Sequence, residues 1–253
     1  MNGLELLEKM ELVDGAYVEE ADAVPIRRRK LGGVWAAAAC VCLVLGGLLW
    51  PRNGTIAPEP QVGGFELSEG TTAKVTVGID GAASAAKAML EWLDEEELFH
   101  QEGLYAFRGR VSGLTNVTID FNGDQEIRCV VTVAVEKVYC GEVEEGGQIT
   151  ILLPCAAGLA GQPWVEDTGI VSQIESGMEG IFMPRAYRED SYWEQNGATL
   201  MLRDLAPCGL WDGRRWLFLE TERGLVYEKI AYPGADGAAT LDDIEGYVVK
   251  MLG

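Results

Sequence analysis

Apolar and polar positions follow three patterns in succession along this chain. Leu4, Leu7 and Leu12, with Met10 beside them, fall at helical spacing and predict a short amphipathic helix that Asp14-Gly15 ends. Leu31–Trp50 (LGGVWAAAACVCLVLGGLLW) is then apolar without a single charge for 20 residues. Pro51–Gly64 is rich in Pro and Gly and reads as a linker, and Lys74–Ile79 as a short strand. Ala82–Phe99 returns to a helical period, Ala-rich at first, then Met89, Trp92 and Leu93, with Asp94–Glu97 as a solvated acidic run.

Beyond Gly103 the period becomes two. Strands are predicted over Leu104–Ser112, Asn116–Phe121, Ile127–Tyr139, Gln148–Pro154, Gly180–Pro184, Leu200–Asp204, Arg215–Glu220 and Gly224–Glu228. Asn122-Gly123, Gly146-Gly147 and Asp212-Gly213 supply turn chemistry between them. Leu241–Leu252 reads as a closing helix, with Thr240 as N-cap and Asp242 and Asp243 in the first turn. Many short strands around one long one, with few helices, predict a mainly β domain, a small closed antiparallel barrel similar to the OB fold. The predicted organisation is therefore residues 1–30 as an acidic helix and basic cluster, 31–50 as a transmembrane helix, 51–81 as a linker, and 82–253 as an outer domain. Within that domain a helix is expected over 82–99, the barrel over 104–229 and the last helix over 241–252.

The membrane assignment rests on length and flanking charge. A bilayer core requires about 20 apolar residues in a helix, and Arg27, Arg28, Arg29 and Lys30 directly precede the run. Clustered basic residues stay on the cytoplasmic side, which places the N-terminus inside and the C-terminal domain outside the cell membrane. Trp35 and Trp50 near the ends of the run suit the two interfaces. A cleaved signal peptide would have a shorter apolar region nearer the N-terminus, followed by small residues, whereas this run exits through Leu48, Leu49, Trp50 and Pro51. A lipidated Cys40 fails on position, since it lies in the middle of the run.

Charge then narrows the partners. Residues 53–253 hold 14 of the 20 Lys/Arg and 33 of the 40 Asp/Glu, a net of −19, which repels nucleic acid. Four cysteines, Cys129, Cys140, Cys155 and Cys208, fall in the outer part, where disulfides are permitted; they allow three connectivities. Strand parity places Cys129 and Cys155 on core-facing sides, so buried free thiols stand beside a bridge as readings. With no CxxC pair and His100 as the sole histidine, a structural zinc site is not expected.

Candidate chemistry is sparse. Asp120, Asn122, Asp124 and Glu126 alternate as in a calcium loop, but Gln125 and Val131 occupy the places where that loop requires Gly and Glu. A hairpin turn at Asn122-Gly123 explains the segment better. His100 has no Gly-x-Ser-x-Gly elbow to serve and suits a helix C-terminus. Paired carboxylates of a glycoside hydrolase are not marked by any particular pair, so no enzyme activity, cofactor or metal is assigned. The stretch from Trp164 to Met183 forms a long loop between strands, read as a lid over one end of the barrel or as a ligand site.

Glu5-Leu6-Leu7-Glu8-Lys9-Met10, Val13-Asp14, Tyr17-Val18-Glu19-Glu20-Ala21, then VAVEKVYCG over Val133–Gly141, ITILLPC over Ile149–Cys155 and GMEGIFMP over Gly177–Pro184, form a recurring set. With the basic cluster and single span, the chain resembles uncharacterised single-pass membrane proteins of low-GC Gram-positive bacteria. Its architecture is also similar to membrane-bound anti-sigma factors, which implies a cytoplasmic segment holding a sigma factor or other regulator and an outer domain sensing the envelope. This inner segment is shorter than a typical anti-sigma domain and lacks the His/Cys zinc pattern. The function expected is a membrane-anchored envelope sensor, with Leu4, Leu7, Met10 and Leu12 as the partner-binding face. The alternative is a tethered outer binding or structural module with no cytoplasmic partner.

Overall fold

Asn122 and Gly123, both at positive φ (53° and 101°), turn the chain back between its two longest strands. The computed structural model describes residues 64–79, 93–158 and 169–253, all within one unit, Pro58–Gly253. Its first elements are β1 (Lys74–Val77), helix α1 (Glu95–Phe99), β2 (Ala106–Phe121), β3 (Asp124–Cys140) and β4 (Gln148–Leu153). After these come β5 (Glu179–Phe182), β6 (Arg185–Ala186), β7 (Tyr192–Gln195), β8 (Ala198–Met201) and β9 (Cys208–Gly209). β10 (Leu217–Thr221), β11 (Gly224–Val226) and helix α2 (Leu241–Leu252) complete them.

The fold is mainly β. One sheet runs in the order β11-β10-β5-β2-β3-β4-β9-β6, with β1 added to the outer half of β2, and it curls as a half-barrel. Every pairing in it is antiparallel except β4 with β9. The curl brings its far strand back to the start: Leu104 bridges Arg185, Tyr105 N–H donates to the Pro184 carbonyl at 2.8 Å, and Ala186 N–H donates to that of Gly103. β5 and β6 thus follow the first half of β2 as one interrupted line. The bend in β2 comes at a register shift between Arg108 and Gly109, where a Cβ would lie 2.4 Å from the Ala134 carbonyl oxygen. Only glycine admits that approach of backbones.

Phe107, Val131, Val133, Ile151, Leu153, Ile181, Phe182 and Phe218 belong to one buried cluster. Ile170, Val171 and Ile174, the end of the long loop before β5, pack into the same cluster. α2 covers the outside of this region with Leu241, Ile244 and Val248, all buried. Each such side chain contributes roughly 1.5–3 kcal/mol. Ion pairs at an exposed surface contribute about 0.2–1 kcal/mol each. Apolar packing therefore holds α2 down, and the pairs Arg108–Asp242 (2.6 Å) and Lys137–Glu245 set its register. A second cluster, with Val117, Ile119, Phe121, Ala198, Leu200 and Leu205, fills the space between the outer half of the β2–β3 ribbon and the β7–β8 hairpin.

Several sequence expectations are revised. Leu104–Ser112 and Asn116–Phe121 are one strand, because a shift between Val111 and Gly113 absorbs the interruption. Within the described part of the helix expected over 82–99, a helix starts at Glu95, where Asp94 and Glu97 form a capping box, so the acidic run is a helix start. Leu200–Asp204 splits into the end of β8 and a 3₁₀ turn over Leu202–Asp204. Cys155 is half-buried, since alternation ends with β4 at Leu153. Cys129, Cys140 and Cys208 are free thiols. α2 and its Thr240 cap match the sequence reading. Among the described residues no helix is long and apolar enough to cross a membrane, and Leu31–Trp50 lies outside them.

Candidate binding cleft

The cleft is built from a carboxylate outward. Asp212 is almost fully buried and accepts four hydrogen bonds, from the backbone N–H groups of Arg214 and Arg215, from Arg215 Nε (2.9 Å) and from Trp216 Nε1 (2.8 Å). A buried carboxylate requires such partners, and these fix the loop that follows β9. The residue before it, Trp211, is thereby held at the surface with 56% of its area exposed. Arg185 of β6 lays its guanidinium 3.9 Å from the centre of the Trp211 ring while its Nε donates to the Glu102 carbonyl. One indole face is occupied, while more than half of the residue stays exposed.

Tyr187 follows β6 and points across β9. A Cβ on Gly209 would stand 1.9 Å from the Tyr187 hydroxyl, so the absence of a side chain there makes room for the phenol. That hydroxyl hydrogen-bonds to no described residue. Burial of the ring, reinforced by the Cys208 thiol, pushes the phenol above its ordinary range, so it is a protonated donor at neutral pH.

The β7–β8 hairpin supplies the other wall. Tyr192 is 58% exposed. Trp193 lies between Phe121 (centroids 4.7 Å apart) and the Arg128 guanidinium, 4.6 Å from its ring. Arg128 pairs with buried Glu126 at 3.1 Å, and burial lowers its pKa against the opposing pull of that carboxylate. The aromatic wall is therefore backed by a paired charge on β3.

These residues enclose two adjoining hollows, about 330 Å³ and about 630 Å³, which share Tyr187, Tyr192, Leu202, Leu210 and Trp211. Both volumes fall in the range of roughly 300–1,000 Å³ found for small-ligand clefts. The floor is apolar and the rim carries both signs of charge, with Arg188, Asp190 and Glu194 exposed around it. Such an arrangement stacks a flat ligand and hydrogen-bonds its edges; no nucleophile–base pair lies in it.

Leu4, Leu7, Met10, Leu12, Arg27, Arg28, Arg29 and Lys30, the residues singled out from the sequence, lie outside the described residues. Of the stretch from Trp164 to Met183, the described part contributes nothing to the cleft lining. Sequence reasoning missed the cleft itself. One signal was present: Asn196-Gly197, both at positive φ (47° and 72°), marks the β7–β8 hairpin as Asn122-Gly123 marks β2–β3. Comparison with protein-family models and with curated proteins finds no match to the chain.

Proposed function

We propose that this protein is a membrane-anchored envelope binding protein that acts as a sensor, its ligand held in the Trp211–Tyr192 cleft. The observation that carries the reading is the cleft: two large aromatic side chains more than half exposed beside a phenol with no partner among the described residues. Isolated exposed apolar residues require no explanation, whereas a concave group of them with converging polar atoms does. The domain is read as an OB-like barrel. In its support, β2, β3 and β4 run consecutively, the β5–β6 line returns beside β2, and β9 lies between β4 and β6, parallel to β4. The cleft then falls on the second and third strands of the barrel and the connection between the fourth and fifth, where OB barrels take their ligands. That last step is an analogy of fold.

The remainder of the reading rests on sequence. Leu31–Trp50 crosses the membrane once behind Arg27–Lys30, with the N-terminus cytoplasmic and the β domain outside. The face formed by Leu4, Leu7, Met10 and Leu12 contacts a cytoplasmic sigma factor or other regulator, as in anti-sigma architecture. For a signal to pass, ligand and regulator must prefer the same one of two states.

Affinity capture from native membranes tests both halves. A regulator recovered with the full-length chain and lost on deletion of residues 2–24 supports the inner contact; identical recovery leaves a tethered outer module. Envelope material retained by the full-length chain and lost in a Trp211→Ala/Tyr192→Ala variant supports the cleft. Retention by that variant rules the cleft out as the binding site.

A further inference from the structure

We propose that the ligand of this cleft is a saccharide, a glycan chain of the cell envelope, with a pyranose ring stacked on the open face of Trp211. The inference rests on the reading of the cleft as the binding site and adds the chemistry of what it holds.

A pyranose has an apolar face of C–H bonds and a rim of hydroxyls that both donate and accept. It requires a flat aromatic surface beside groups of both hydrogen-bonding senses. Trp211 offers the surface: Arg185 covers one face at 3.9 Å, yet 56% of the residue remains exposed. Tyr192, 58% exposed, provides a second platform on the opposite wall. Tyr187 lines the same hollows, and its hydroxyl, with no partner among the described residues, can donate to one sugar oxygen and accept from another. Arg188 and Asp190 add a fork of donors and a pure acceptor at the rim.

Other ligand classes fit this chemistry less well. A nucleic acid strand also stacks on aromatic rings, but such grooves track the backbone with positive charge. Here Asp190 and Glu194 stand in the rim, and residues 53–253 carry a net charge of −19. A peptide adding as a strand finds no free edge at β9, which pairs with both β4 and β6, and only the four-residue β7, paired with β8 alone, offers one at the cleft. A purely apolar ligand would leave the Tyr187 hydroxyl without a partner.

The test is isothermal titration calorimetry on the full-length chain in lipid nanodiscs, which avoids sugar-headed detergents. Chitohexaose and cellohexaose are the saccharide probes; a twelve-residue oligothymidylate and decaproline are the competing classes. The proposal expects heat from at least one saccharide. Trp211→Ala should weaken that binding by about tenfold or more, as for a central aromatic anchor. Tyr187→Phe, which removes only the hydroxyl, should weaken it by about two- to tenfold. Unchanged melting of both variants shows that the loss is local. Absence of binding to either saccharide overturns the proposal, as does saccharide binding that survives Trp211→Ala. Binding of oligothymidylate or decaproline alone, lost in Trp211→Ala, overturns the saccharide class and leaves the cleft standing. If no probe binds, the saccharide proposal falls and the membrane capture with Trp211→Ala/Tyr192→Ala decides the cleft separately.

Discussion

Two aromatic groups lie on this domain, and they differ in how their hydroxyls are spent. Under α2, Phe99, Phe218, Tyr227, Tyr232 and Tyr247 pack edge-to-face or tilted with centroids 4.8–6.3 Å apart. Each tyrosine there donates to a named acceptor: Tyr227 to the Ala235 carbonyl, Tyr232 to that of Arg215, Tyr247 to Glu95. At the cleft, Tyr187 has no such acceptor among the described residues, and Tyr192 and Trp211 are more than half exposed. Aromatic residues whose polar ends are satisfied inside the protein stabilise it. Those that are open at one end contribute less to the free chain, and they are the ones available to a ligand.

The largest effect is expected where the two regions meet. Asp212 holds Arg215, whose carbonyl accepts from Tyr232, and stands next to Trp211. Asp212→Ala removes the acceptor for four donors, one of them the buried Trp216 indole. It should cost about 3 kcal/mol or more in a urea melt and abolish ligand capture together with stability. An unaltered melting curve would show that Asp212 does not organise the loop.

The contrast itself is sharpened by removing one oxygen on each side. Tyr232→Phe leaves the Arg215 carbonyl without that donor and should cost about 1–2 kcal/mol without touching the cleft. Tyr187→Phe should change stability by less than about 0.5 kcal/mol, while still lowering affinity. Equal stability losses in the two variants would erase the distinction.

Acidity should act on the α2 side. Hydrogen bonding from Lys137, then from Tyr139 and Arg108, holds the Glu245 carboxyl below its ordinary value. Asp243 is held low chiefly by the Ala239 N–H and the Thr240 cap. A carboxyl whose folded pKa is depressed contributes stability above its unfolded value and loses it as pH falls through the folded one. Amides of 241–252 should therefore lose hydrogen-exchange protection as pH falls below the ordinary carboxyl range, before those of β2 and β3 do. Simultaneous loss would mean that α2 and the sheet unfold as one unit.

The smallest effect concerns thiols. Burial pushes Cys129 and Cys208 up to about 12, and both lie inside the sheet. Native alkylation at pH 8, followed by mass spectrometry, should modify half-buried Cys155 well before either. Prompt labelling of Cys208, which stands in β9 beside Gly209, would show that the wall behind Tyr187 opens.

Local chemistry was enough for the elements that close on themselves. Asn122-Gly123 specifies its hairpin through positive φ, and Thr240 with Asp243 specifies the start of α2 through reciprocal caps. Alternation placed the strands that line the core.

What depended on distant neighbours was not legible. β6 and β9 are two residues each and exist as strands only because β4, and each other, offer partners. The single strand β2 emerged from two predicted ones because pairing with β3 carries it across its irregular residues. Asp212 reads as a turn residue in sequence, and only the folded loop sets four donors around it. The cleft draws on Arg128, Leu152, Tyr187, Tyr192 and Trp211, spread over more than 80 positions. No periodicity links residues so far apart. Sequence determines which face of a strand is apolar, because that depends on the next residue but one; tertiary structure decides which faces meet, because that depends on how the sheet curls.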